Sequence, residues 1–148
     1  MTSMNTKGEA PGLRSLRLFL CLMCFSQLGW GVEIIANRSV SINALSLASA
    51  RSIFGMRQAK WPDGVQIQVF VLADTHPTHV AVCKERFNLF PYQLRQSWDR
   101  LVYAGMAQSP AEVGNEEELI NKVATTPGAI GYARRVKPND PIKIIVIQ

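Results

Sequence analysis

Two histidines and a cysteine, His76, His79 and Cys83, fall within eight positions of one another in the stretch LADTHPTHVAVCKERF, residues 72–87. At i, i+3 and i+7 they would share one face of a helix, and imidazole with thiolate is a ligand set for zinc or copper. Two features oppose a metal. His76 precedes Pro77 and so falls outside a regular helix, and the surrounding sequence offers no evident fourth ligand. Cys83 also lies on the inward side of the expected helix, where a thiol serves as a small apolar filler. A second chemistry fits the same stretch: it would start a helix, and backbone N–H groups at a helix start can hold an anion. The third reading is ordinary capping and core packing, with Asp74 or Thr75 as N-cap and Pro77 in the first turn. No metal and no cofactor is expected.

Other residues have paired readings. Arg38 and Ser39 follow the first strand, at the carboxyl end where ligands of α/β sheets gather, although turn chemistry explains them equally. In TTPGAIGYA, residues 125–133, Pro127 and Gly128 break a helix, Gly131 permits close backbone approach, and Tyr132 offers a hydroxyl on a strand. Arg134 and Arg135 could attract an acidic partner or simply face solvent. Trp61 and Trp98 read as packing residues.

The elements that must position these groups follow from pattern. VEIIA, residues 32–36, is a short buried strand. Apolar positions Ala44, Leu45, Ala48, Ile53 and Phe54 predict a helix over residues 42–54 that stops at Gly55. KWPDG, residues 60–64, is a turn, and VQIQVFVLA, residues 65–73, a strand that enters the core. A helix over 77–87 buries Val80, Val82, Cys83 and Phe87. Another starts at Pro91 with Leu94, Trp98, Leu101 and Val102 as its inward stripe, and ends at Gly105. Asn115 caps a further helix whose three leading glutamates suit the helix dipole. AIGYA and IKIIVIQ are the last strands. The order β-α-β-α-α-α-β-β predicts a small α/β domain with a mixed sheet flanked by helices.

With 148 residues, 47% hydrophobic and 18% charged, the chain has the composition of one globular domain. Its start differs from the rest. Lys7, Arg14 and Arg17 precede LFLCLMCFSQLGWG, an apolar run short for a bilayer and shaped like an export signal, with cleavage expected after Gly31. The expected division is a signal peptide over 1–31 and a domain over 32–148, giving a periplasmic or secreted protein that meets the membrane only through an uncleaved signal. Cys21 and Cys24 would leave with the signal, so Cys83 alone could form no internal disulfide. Removing Lys7, Arg14, Arg17 and Glu9 takes 16 basic and 11 acidic residues to 13 and 10, a net of +3. The basic residues are scattered and aromatics do not alternate with them, so nucleic acid is not an expected partner.

Three segments together resemble the phosphate-type family of periplasmic solute-binding proteins: SINALSLASARSIFGMRQAKWPDG (41–64), WDRLVYAG (98–105) and VATTPGAIGYA (123–133). That family repeats a helix ending in an Ile-Phe-x-Gly step, a Trp with an Asp-Gly turn, and a Thr-Pro-Gly-Ala-Ile-Gly-Tyr run. Here they are Ile53-Phe54-Gly55, Trp61-Pro62-Asp63-Gly64 and residues 126–132, and the first departs because Gly55 directly follows Phe54. The resemblance implies one lobe of a type 2 periplasmic-binding-protein fold, similar to the second, inserted lobe of two-lobed relatives. It also implies a non-catalytic protein that binds phosphate or a similar oxyanion at helix N-termini through Arg38, Ser39, Asp74, Thr75, Thr78, Gly128 and Tyr132. A second copy or another envelope protein would complete the cleft. The family's anion loop, Arg-x-Asp/Glu-x-Ser-Gly-Thr, corresponds to residues 73–78, where Asp74 and the threonines remain but the serine and glycine are replaced and Pro77 removes an N–H. That departure implies the alternative function, a one-lobed interaction module of the envelope that has lost anion binding. An enzyme is not expected: there is no nucleophile elbow, paired-carboxylate motif or phosphate-cradling loop.

Overall fold

A computed structural model describes residues 31–148. The expected signal, residues 1–31, lies outside that range except for Gly31, as do the readings placed on Lys7, Arg14, Arg17, Cys21 and Cys24.

Six strands form one mixed sheet in the order β2-β6-β1-β5-β3-β4. They are β1 Glu33–Asn37, β2 Ala44–Leu45, β3 Gln68–Val71, β4 Ala111–Glu112, β5 Ala129–Ala133 and β6 Ile142–Ile147. β1 runs antiparallel to β5 and β6, whereas β2 is parallel to β6, and β3 is parallel to both β5 and β4. The carboxyl ends of β3, β4 and β5 therefore emerge together, beside the start of β1. Four helices flank the sheet: α1 Leu47–Phe54, α2 Pro77–Glu85, α3 Pro91–Tyr103 and α4 Glu116–Thr125. This is the expected α/β class.

Strand alternation sorts the core into two layers. Ile34 pairs with Tyr132 and Ile145 on one face, where the Tyr132 ring lies 6.1 Å from Phe54 of α1 and 5.7 Å from His79 of α2. Ile35 and Gly131 share the other face, which α4 covers: a Cβ on Gly131 would run into Leu119 and Val123. A glycine there lets the helix approach the sheet. Asn37 ties the end of this helix down, its Nδ2 donating to the carbonyls of Val123 and Ala124 at 2.8 Å each.

Several sequence expectations are corrected. Helix α1 starts at Leu47, with the Ser46 hydroxyl accepting from the Ser49 N–H. Ala44 and Leu45, read as helical, form β2 because β6 offers them a ladder: the Val146 and Gln148 N–H groups donate to Asn43 and Leu45 carbonyls. Local periodicity cannot register so distant a partner. The same holds for β4, two residues that pair with β3 inside what reads as a loop. The strand expected over 65–73 is regular only from Gln68 to Val71, since Gln66 instead bridges back to Lys60 across the Trp61 turn. On α3, Leu94 and Trp98 are buried, but Val102 is 40% exposed because the helix outruns the core.

Candidate functional site

The seven residues proposed from sequence divide between opposite ends of the sheet. Arg38, Ser39 and Gly128 lie where β1 ends and β5 begins; Asp74, Thr75 and Thr78 lie past the end of β3, with Tyr132 near the end of the neighbouring β5. The length of β5 separates the groups, about 13 Å for four strand steps. One small oxyanion could not touch both groups.

The first group is occupied with structure. The Gly128 N–H donates to the Ser39 hydroxyl at 3.0 Å, and its carbonyl accepts from the Trp61 indole at 2.9 Å. Gly128 has φ +73°, and a Cβ there would collide with the Gln66 carbonyl, so only glycine fits. Arg38 reaches the Asp140 carbonyl at 3.5 Å.

The second group sits where the carboxyl ends of parallel strands meet the start of α2, the position at which α/β sheets bind ligands. The N-cap is neither Asp74 nor Thr75. It is His76, whose Nδ1 accepts from the Thr78 N–H at 3.2 Å, with Pro77 at the first helical position. Of the four amides that a helix start normally leaves open, Pro77 has none, the His76 N–H donates to the Ala73 carbonyl, and the Thr78 N–H is capped. The fourth, the His79 N–H, belongs to a fully buried residue. Asp74 is clamped as well: Arg95 donates to both its oxygens, at 2.8 and 2.9 Å, while stacking over the Trp98 ring at 4.9 Å. That pairing raises the Arg95 pKa still further. Thr75 is exposed on the connecting turn.

The residue missed from sequence is Glu116, the first of α4. One carboxylate oxygen accepts from the buried Thr78 hydroxyl, and the other accepts from the Arg134 N–H at 3.0 Å. A carboxylate of the chain itself thus lies where a hydroxyl at a helix start and an amide at a strand end converge. In sequence Glu116 was legible only as a helix-dipole residue, since nothing local says which strand its side chain faces.

Beneath this surface lies a buried polar chain. The Leu72 N–H donates to the Tyr132 hydroxyl oxygen at 2.8 Å, which leaves the hydroxyl proton for His79 Nδ1 at 2.5 Å. The imidazole proton then sits on Nε2, facing Cys83 Sγ at 3.6 Å and Asp74 Oδ1 at 3.8 Å. Tyr132 and His79 are fully buried, so their polar atoms serve the core. His79 and not Val80 faces inward, because the hydroxyl of Tyr132 gives its ring a partner there. His76, His79 and Cys83 do not converge on a common point: His76 caps the helix and the other two belong to the core. Among the described residues, no group of three His, Cys, Asp or Glu side chains is placed to hold a metal ion.

Burial depresses the His79 pKa; Asp74 opposes this and Arg95 reinforces it. Burial pushes the Cys83 thiol up to about 12 and raises Tyr132 as well, so both remain protonated. A depressed folded-state histidine has a definite sign. Its stabilising contribution is complete above the unfolded value of 6.5 and is lost as pH falls, because the unfolded chain then takes up the proton first. Urea titrations at successive pH values should show stability falling below about pH 6.5, by at most ~1.4 kcal/mol per unit for this one proton. A His79→Gln chain should lose that part of the slope; an unchanged slope would assign the acid sensitivity elsewhere.

No family model matches the chain, and no curated protein does. Solved structures do. PstS from Borrelia burgdorferi superposes with a TM-score of 0.58 at 14% identity, over 80% of this chain and 47% of that one. An ABC-type phosphate transport receptor from Vibrio cholerae gives 0.51 at 12%, over 79% and 46%. A phosphate-binding protein from Stenotrophomonas maltophilia gives 0.52 at 14%, over 80% and 39%. The chain spans less than half the length of each. At these identities the likeness concerns the fold alone, which is that of one lobe of a periplasmic-binding protein.

Proposed function

We propose that this chain, folded as one lobe of a phosphate-type binding protein, is a non-catalytic oxyanion-binding domain of the cell envelope. Residues 1–31 would be its export signal and 32–148 the binding domain. One observation carries the reading: the Thr78 hydroxyl and the Arg134 N–H hold the two oxygens of a single carboxylate, that of Glu116, so the pair is spaced for an oxyanion. Phosphate or a related anion would take that position, with the hydroxyl of exposed Thr75 as a further donor. Asp74, paired with Arg95, would shape the site without meeting the ligand. Arg38, Ser39, Gly128 and Tyr132 would act by holding the lobe together. Enclosure, which residues 31–148 do not provide, would come from a second copy or another envelope protein. The absence among the described residues of any helix long and apolar enough to cross a membrane is compatible with this placement.

Because a ligand must displace Glu116, affinity should be weak, with Kd on the order of 1 mM, about −4 kcal/mol. Titration of the full chain with phosphate and sulfate, followed by calorimetry and thermal melting, tests this. Saturable heat is expected, together with a stabilisation of about 1.4 kcal/mol at tenfold excess over Kd. No binding at 20-fold that concentration would reject it.

The saturation of the same donors by His76 and Glu116 favours a second reading, an interaction module of the envelope in which this corner only stabilises the lobe. Cross-linking in the envelope discriminates: recovery of a specific partner from a chain that ignores phosphate would support the module.

A further inference from the structure

A second concave site lies on the other side of α3, between it and the end of α1. It is a cavity of about 420 Å³, within the size range of small-molecule clefts. Arg51, Arg57, Gln93 and Ser97 supply its polar lining, and Leu89 and Leu94 much of its apolar wall. No carboxylate lines it. Arg51 is held in place by its Nε, which donates to the Phe87 carbonyl at 2.7 Å, while no ion pair among the described residues engages Arg51 or Arg57. The other groups are set the same way. The Gln93 carbonyl oxygen already accepts from the Phe90 N–H, leaving its amide hydrogens to donate, and the Ser97 hydroxyl is anchored on the Gly55 carbonyl.

Two arginines and an amide donor thus border the cavity beside an aliphatic wall, the Arg51 guanidinium keeping its Nη groups unengaged by the Phe87 carbonyl. Guanidinium forks match carboxylate and phosphate oxygens in pairs. We infer that this cavity is a binding site for a small amphipathic anion, an acidic head on a short aliphatic body, distinct from the oxyanion corner at the start of α2. The aliphatic wall gives a carboxylate with an alkyl chain an advantage over a bare inorganic anion, since each buried methylene adds ~0.8 kcal/mol.

The test is NMR titration of the full chain with hexanoate, acetate and inorganic phosphate, observing the arginine Nε–H signals and the methyls of Leu89 and Leu94. Hexanoate should produce saturable shifts at Arg51, Arg57 and both leucines, binding at least tenfold more tightly than acetate. Arg57→Gln, at an exposed position that makes no ion pair, should keep the fold and weaken hexanoate at least fivefold. Equal weak shifts with all three anions, or hexanoate shifts unchanged in Arg57→Gln, would overturn the site. Phosphate shifts confined to Thr78 and Arg134 would concern the α2 corner alone, so the two proposals fail separately. Hexanoate shifts in that corner but not in this cavity would overturn this one.

Discussion

Glu116→Ala should bind inorganic phosphate at least tenfold more tightly than the natural chain, the reverse of what removing a binding residue does. In the folded lobe the Glu116 carboxylate uses the Thr78 hydroxyl and the Arg134 N–H, two of the few donors that the α2 corner retains. Its charge also repels an incoming anion: two unit charges about 4 Å apart interact by roughly 4 kcal/mol at the effective dielectric of a protein surface. Removing it frees both donors and lifts the repulsion, and even a third of that energy is a tenfold change. The fold loses a favourable charge at a helix start, about 1 kcal/mol, and the partner of the buried Thr78 hydroxyl, about 1–3 kcal/mol more. Glu116→Gln should fall between the two, because an amide oxygen can still accept from Thr78 while the charge is gone. Calorimetry with phosphate on the three chains decides the matter. If all three bind equally, or none binds, Glu116 is not an internal competitor and the interaction-module reading gains.

Tyr132→Phe should cost about 2–4 kcal/mol without altering the backbone. The substitution keeps the ring against Phe54 but strips the hydroxyl that accepts from the Leu72 N–H and meets His79 Nδ1. Both groups lie in the core, where a polar atom left without its partner costs about 1–3 kcal/mol. A melting temperature lower by roughly 10 °C follows for a domain of this size. Urea denaturation checks it, with an unchanged m-value showing that the same surface is exposed on unfolding. A loss below about 1 kcal/mol would mean that the two partners find replacements. A residue matched to a ligand contact by resemblance would then prove dispensable for the core as well.

Much of the lobe was legible in the residues, for reasons that can be named. Helix α4 announces itself through Asn115 followed by three glutamates, and the Asn115 side chain does accept from the Glu118 N–H at 2.9 Å. Pro77 and Pro91 open α2 and α3, as proline does where its missing N–H costs nothing. Such signals act within one turn. The two-residue strands β2 and β4 carry none, because their conformation is dictated by partners far along the chain.

The candidate site was legible in its place but not in its membership. That the junction after β3 matters follows from strand, turn and proline in succession. That His79 is buried does not, since a histidine at that position reads as well on the surface until the Tyr132 hydroxyl, 53 residues away in sequence, is seen to reach it. The Glu116 carboxylate on Thr78 is likewise a contact between separate helices.

Composition, periodicity, caps and turn residues thus determined by themselves that this is a small α/β domain with a strand-to-helix corner between β3 and α2, because each of those signals is written within a few neighbouring residues. Only the tertiary structure decided that the corner is filled by the chain's own carboxylate and that Arg38, Ser39 and Gly128 lie at the far end of the sheet. Which side chains converge depends on strand order and on antiparallel or parallel pairing, and these are set by packing over the whole chain.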